Sequence, residues 1–353
     1  MSAPASLATS IAGVPVSNPV WVGSSELTMS RGGLVQCLRS GAGAVVAKSI
    51  NENPAASRQL DIADYVLLDE DWSPVAPELA GPSAALLNRS GLVQQSLEDW
   101  LGILEDARAV GEAHNSLLIG SITIGEIGAA REIVRALSSV TSHVEVNVGA
   151  PHAREAASGA VTALSSAELV TELVRSTRDV CEGLLLLKLP DAGVLTPALV
   201  EAGRNAGADV VVLNGRQHGF LPDIRTFEPV LGSWGAYSSP RTLPMSLYAV
   251  SKAFRATGGV LPLVGTNGAR DAGDVLRFLL SGAQAVEMVT AVWTQGPAYV
   301  GRVVQELAQL IEQSPADSLE EVVGASVQLA QEYAEIAPVQ SPSRPWERWV
   351  GSR

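Results

Sequence analysis

Short apolar runs alternate along this chain with longer stretches of helical periodicity, the pattern of βα units on a parallel sheet. Eight runs are predicted as strands: VWVGS (20–24), AVVAK (44–48), LLIGSI (117–122), VEVNVG (144–149), LLLLKL (184–189), DVVVLN (209–214), LPLVGT (261–266) and AVEMVTAV (285–292). Most are continuously apolar, as strands covered on both faces must be. The intervening AELVTELVRSTRDVCEG (167–183) and LTPALVEAGRNAG (195–207) read as amphipathic helices, the second with proline near its start and glycine at its close. Eight such units predict an α/β fold, a (β/α)8 TIM barrel over 1–315, followed by a tail (316–353) read as one helix and an Arg/Trp-rich end.

Two connections, 49–90 and 215–243, are too long for simple turns and are expected to be lids at the C-terminal face. Several strand candidates end in a polar residue or glycine: Ser24, Lys48, Ser121, Asn147, Lys188, Asn214, Gly265 and Thr290. In such a barrel these ends share one mouth, where the active site is built.

Composition narrows the function by exclusion. A formal charge of −13 argues against nucleic acid as a partner, since phosphate contact needs a basic face. The N-terminus lacks the basic and apolar regions of a secretory signal, and no apolar run approaches the ~20 residues of a membrane span. A cytoplasmic location is the expectation. Cys37 and Cys181 are too few for an iron–sulfur cluster, which takes about four thiolates. Both lie in stretches that read as helix and are expected to be buried apolar residues. No metal site is expected.

Candidate chemistry gathers at the strand ends. The segment VGTNGARDAGDVLRFLLSGAQAVEMVTA combines a glycine turn, a helix start and a final strand, a place where barrels hold phosphate. Lys48 and Lys188 each end an apolar strand, where a charge needs a partner. With Asn147 and Asn214 they form a polar ring suited to a planar polar ligand such as a flavin.

At this point the segments resemble the dihydroorotate dehydrogenase family. ASLATSIAGVPVSNPVWVGSS is similar to the family's opening hairpin and first strand, AGAVVAKSI to its second strand, and LLNRSGLVQ to its substrate loop. VEVNVGAPH resembles its N-x-S-C-P-N motif, LLLLKLP its V-K-L-S-P strand, VVLNG a substrate-side asparagine, LGSWGAY a glycine segment against the flavin, and GTNGA with VTA the phosphate cradle. The likeness runs from about residue 5 to 312. It implies FMN bound by Gly23, Ser24, Lys48, Ser49, Ser121, Asn147, Lys188, Gly235, Gly265, Asn267, Gly268, Val289 and Thr290. It implies a small-molecule substrate held by Lys48, Asn88, Gly91, Leu92, Asn147, His152, Asn214 and Gly215. A homodimer and no membrane partner are also implied.

The departures concern the acid/base. The family's cysteine in N-x-S-C-P-N falls on Ala150, and the N-V-G-A-P-H run is closer to dihydropyrimidine dehydrogenases, whose cysteine lies further along the loop, at Ala163 here. Candidates left in the loop are His152, Thr162 and Ser165, with Ser165 and Ser166 also suited to capping the next helix. His218 is a further candidate facing the mouth, whereas His114 and His143, near strand starts, are expected to be structural. The expected activity is FMN-dependent oxidation or reduction of a C–C or C–N bond in a small polar, cyclic amide- or carboxylate-bearing molecule. The alternatives are a working dihydroorotate or dihydropyrimidine dehydrogenase with another loop base, in pyrimidine metabolism, and a non-redox phosphate-gripping lyase or isomerase.

Overall fold

A computed structural model describes residues 7–149, 166–215, 217–339 and 344–350. Eight parallel strands close into a barrel in the order β3 (Val20–Val22), β4 (Ala44–Val46), β7 (Leu117–Thr123), β8 (His143–Asn147), β9 (Leu185–Lys188), β10 (Val210–Leu213), β13 (Leu263–Thr266) and β14 (Ala285–Met288). All eight coincide with the apolar runs. The last is shorter than its run: it ends at Met288, and Thr290–Gln295 turns at once into a helix.

The side-chain period of two sorts each strand into an outer and an inner set. Val45, Val144, Leu185, Leu187, Val211, Leu263 and Val286 face the helices in one large core. Trp21, Val46, Ile119, Leu186, Val212, Val264 and Ala285 fill the barrel interior. A hairpin of β1 (Thr9–Ile11) and β2 (Val14–Val16) adds Ile11 and Val16 to that interior and closes its floor. Continuing the same parity upward, the next inward positions are Gly23, Lys48, Ser121, Glu145, Lys188, Asn214, Thr266 and Glu287. The apolar interior therefore gives way to one polar layer just below the C-terminal mouth.

The helices end where local chemistry says they should. Thr196–Ala206 carries Pro197 in its first turn and closes on Gly207 at φ +107. Ala167–Arg178 is capped by Ser166, whose hydroxyl accepts the Leu169 N–H at 3.2 Å. Cys37 lies in the helix Arg31–Leu38 and is buried as expected; Cys181 is buried too, but lies beyond its helix, which stops at Arg178. The single tail helix is also corrected. Two short helices, Leu319–Val322 and Ala325–Leu329, are broken by Gly324 at φ +77, where a side chain would collide with the Phe254 ring.

The two long connections are more ordered than lids. The first forms β5 (Asp64–Leu68) and β6 (Ala85–Arg89), the second β11 (Gln217–Gly219) and β12 (Gly235–Ser238). They join in one antiparallel sheet, β11-β12-β6-β5, through the pairs Ala236↔Asn88, Tyr237↔Leu87 and Ser238↔Leu86. Arg89 fastens it, donating to the Leu231 carbonyl and to Ser233 Oγ and pairing with Asp64. This sheet roofs one side of the mouth.

Candidate active site

Beneath the roof lies a cavity that opens to solvent at its mouth. Its walls come from the ends of β3, β4, β7, β8, β9, β13 and β14 and from the roof strands β6 and β12. The strand-end residues Ser24, Lys48, Ser49, Asn147 and Lys188 line it, as do Asn267, Gly268, Val289 and Thr290 at one end. Asn88, Gly91, Leu92 and Gly215 line it as well.

Other expected residues stand one step back. Ser121 lies below the wall, bonded to Ser49 Oγ at 2.8 Å. Gly23 points its absent side chain at Glu287, with only 2.9 Å to Oε2. Asn214 is buried beside Gly215, and neither atom of its amide has a hydrogen-bond partner among the described residues. Gly265 faces outward, because a β-carbon there would lie 2.3 Å from Phe278; Thr266 takes its place in the lining. Gly235 is pressed against Leu231 and the Asn88 carbonyl, and Ser238 and Ser239 reach the cavity instead. His152, Thr162 and Ser165 lie outside the described residues. His218 is exposed on β11 and not in the lining. His143 is structural, its Nδ1 accepting the Leu184 N–H at 3.0 Å, and burial holds its imidazole below the usual range.

The glycine turn also differs in detail. The N-terminus of the helix Ala272–Leu280 is capped by its own Asp271, which accepts the Asp274 N–H at 2.9 Å. That bond satisfies one N–H of the helix's first turn. The turn itself lines the cavity, with Asn267 at φ +68 and Gly268 at φ +120. The Asn267 side chain is spent on bracing, accepting from Thr242 Oγ1 at 3.1 Å.

Two buried carboxylates were not foreseen. Glu145 and Glu287 are 0% and 1% exposed, and both approach Lys188 Nζ, at 3.2 and 2.5 Å. A polar thread runs on from Glu145 Oε1 to Ser121 at 3.0 Å and to Ser49, with Ser24 3.4 Å further. Burial would depress the Lys188 ammonium, but the two carboxylates outweigh it and hold it above its usual range. Burial, then repulsion from Glu145, pushes the Glu287 carboxyl up to about 8 against the pull of Lys188. On the opposite wall Lys48 Nζ donates to Glu26 Oε1 at 2.8 Å, and the Tyr65 hydroxyl donates to the same oxygen at 2.8 Å. Burial raises Glu26, yet Lys48 and Tyr65 together outweigh it and leave the carboxyl below its usual range.

A raised carboxyl has a testable pH signature. Below about pH 4.5 Glu287 is protonated whether the chain is folded or not; as pH rises toward 8 only the unfolded state ionises freely, so stability is lost across that window. Glu287→Gln removes this loss. Relative to wild type, it should gain on the order of 1–3 kcal/mol between about pH 5 and pH 9, read from paired denaturation curves.

The fold and cavity define a barrel enzyme whose site is built from strand ends and one roofing sheet. The dihydroorotate dehydrogenase profile matches residues 73–311, and the chain belongs to that family. It is thus a member of a family of oxidoreductases. Relatives named dihydroorotate dehydrogenase B (NAD(+)), catalytic subunit, include that of Methanothermobacter thermautotrophicus, 26% identical over 90% of this chain and 97% of the relative. Those of Pyrococcus abyssi and Thermococcus kodakarensis are 26% and 27% identical, each over 92% of this chain and 100% and 99% of the relative. No helix among the described residues is long and apolar enough to cross a membrane.

Proposed function

We propose that this protein is an FMN-dependent oxidoreductase acting on a C–C or C–N bond of a small polar molecule. The observation that carries the reading is the polar layer itself: Lys48, Asn147 and Lys188 reach one cavity from three strands, beside the buried amide of Asn214, which has no partner among the described residues. A buried amide without partners is costly unless a bound molecule satisfies it. The residues present therefore fit a planar ligand rich in donors and acceptors.

In this reading the turn Asn267–Gly268 and the Val289–Thr290 segment hold the phosphate, while Lys48, Ser49, Asn147 and Lys188 surround the ring. FMN, when bound, supplies the two-electron acceptor. Asn88, Gly91, Leu92 and Gly215 hold the substrate next to it, and the roof keeps water out. Lys188, fixed by two carboxylates, is a permanent cation that orients its ligand without exchanging a proton near neutrality. Proton transfer falls to the 150–165 loop, with His152, Thr162 and Ser165 as candidates. The names of the relatives favour dihydroorotate as a second reading; Ala150 and Ala163, where the family and its dihydropyrimidine branch keep cysteine, weigh against it.

The test is direct. The purified protein should be yellow or take up added FMN stoichiometrically, and the colour should bleach anaerobically with its substrate. A protein that neither retains nor binds FMN overturns the reading. Bleaching by dihydroorotate at family-like rates would establish the second.

A further inference from the structure

We propose that the substrate taken by this cavity is an uncharged ring bearing amide or ureide groups, and that Glu26 and Glu287 exclude carboxylates by cancelling the two lysines. This rests on the reading of the cavity as a flavin and substrate site. Lys48 and Lys188 are the only cationic side chains among the described residues that line it. Each is already paired with a carboxylate. Lys48 is engaged by Glu26 at 2.8 Å, and Lys188 by Glu287 at 2.5 Å and by Glu145 at 3.2 Å.

The sum decides the sign. Two ammonium groups face three carboxylates, so the site carries one excess negative charge with all five ionised, and none when Glu287 holds a proton. In neither state is it positive. A phosphate ester held at the glycine turn adds further negative charge. A substrate carboxylate entering this space loses its water and finds no net attraction in return. Uncharged amides face no such penalty. Asn88 and Asn147 line the wall, and Asn214 has both a donor and an acceptor without a partner among the described residues, the complement of a ring amide.

The experiment is run above about pH 8, where Glu287 is ionised, and uses the full-length FMN-loaded protein and matched ring pairs, uracil against orotate and nicotinamide against nicotinate, titrated by the change in flavin absorbance. The uncharged member of a pair should bind at least about tenfold more tightly, the size expected for one uncompensated charge a few ångströms away. Glu26→Gln leaves Lys48 uncancelled and should shift the ratio at least about tenfold toward the carboxylate. Glu287→Gln reports the same around Lys188, should the first variant lose flavin; if both lose it, the wild-type ratio decides. Tighter or equal binding of the carboxylates by wild type overturns the proposal, as does binding of no uncharged member. An unmoved ratio in a flavin-loaded variant does so too. Arg216, next in the chain to Gly215, lies outside the described residues. A carboxylate preference that Arg216→Gln removes would name it as the overlooked cation and would be an overturning result. Flavin retention is scored separately in every sample, so failure to bind FMN tells against the oxidoreductase reading and not against the charge argument.

Discussion

Replacing Lys188 by methionine should cost about 3–5 kcal/mol, lowering the melting midpoint by about 4–8 °C. The size follows from what the substitution leaves behind. Glu145 and Glu287 are both excluded from solvent and share the one ammonium. Removing it strands two carboxylates that can escape only by taking up protons, so the loss should be smaller in acid than at pH 8. The triple variant Lys188→Met with Glu145→Gln and Glu287→Gln should recover most of the loss, because no uncompensated charge remains. Thermal denaturation followed by circular dichroism checks both. A single variant within about 1 kcal/mol of wild type would mean that water already solvates this layer.

The second large effect is expected at Gly268. Its φ of +120 is outside the range most side chains adopt, and an added β-carbon would lie 2.8 Å from the Leu243 Cα. Gly268→Ala must therefore move the turn that borders one end of the cavity, at a backbone cost on the order of 1–3 kcal/mol. If that turn holds the FMN phosphate, retention should fall by at least about tenfold while the barrel still folds. The ratio of flavin to protein absorbance after dialysis gives the answer, with the circular dichroism spectrum as control. Unchanged retention would move the phosphate elsewhere in the cavity.

The barrel was legible because its strands are buried on both sides and so announce themselves as apolar runs. Polar ends such as Lys48, Asn147 and Lys188 stand out against them. Glu145 and Glu287 were harder to see. Each is embedded inside its run, in HVEVN and AVEMV, and only the strand parity, counted up from Val144 and Val286 on the helix-facing side, turns them inward. A charged residue at an inward position of a buried strand was the available signal. Parity likewise separates Gly265, directed at Phe278, from Thr266 in the lining. The roof was not legible, because pairing of Asn88 with Ala236 joins segments far apart in sequence and leaves no local periodicity to read.

That pairing makes the two insertions a single heritable unit. Ser238, Asn88 and Leu86 meet the cavity only in the register that β6 and β12 share. A graft of either insertion alone from a relative would leave its partner strand with an unmatched edge and the mouth misshapen. Exchanging both together would carry the register along. Altering what this barrel accepts should therefore come from paired changes on β6 and β12, and a nascent chain acquires its finished mouth only once β12 has been synthesised.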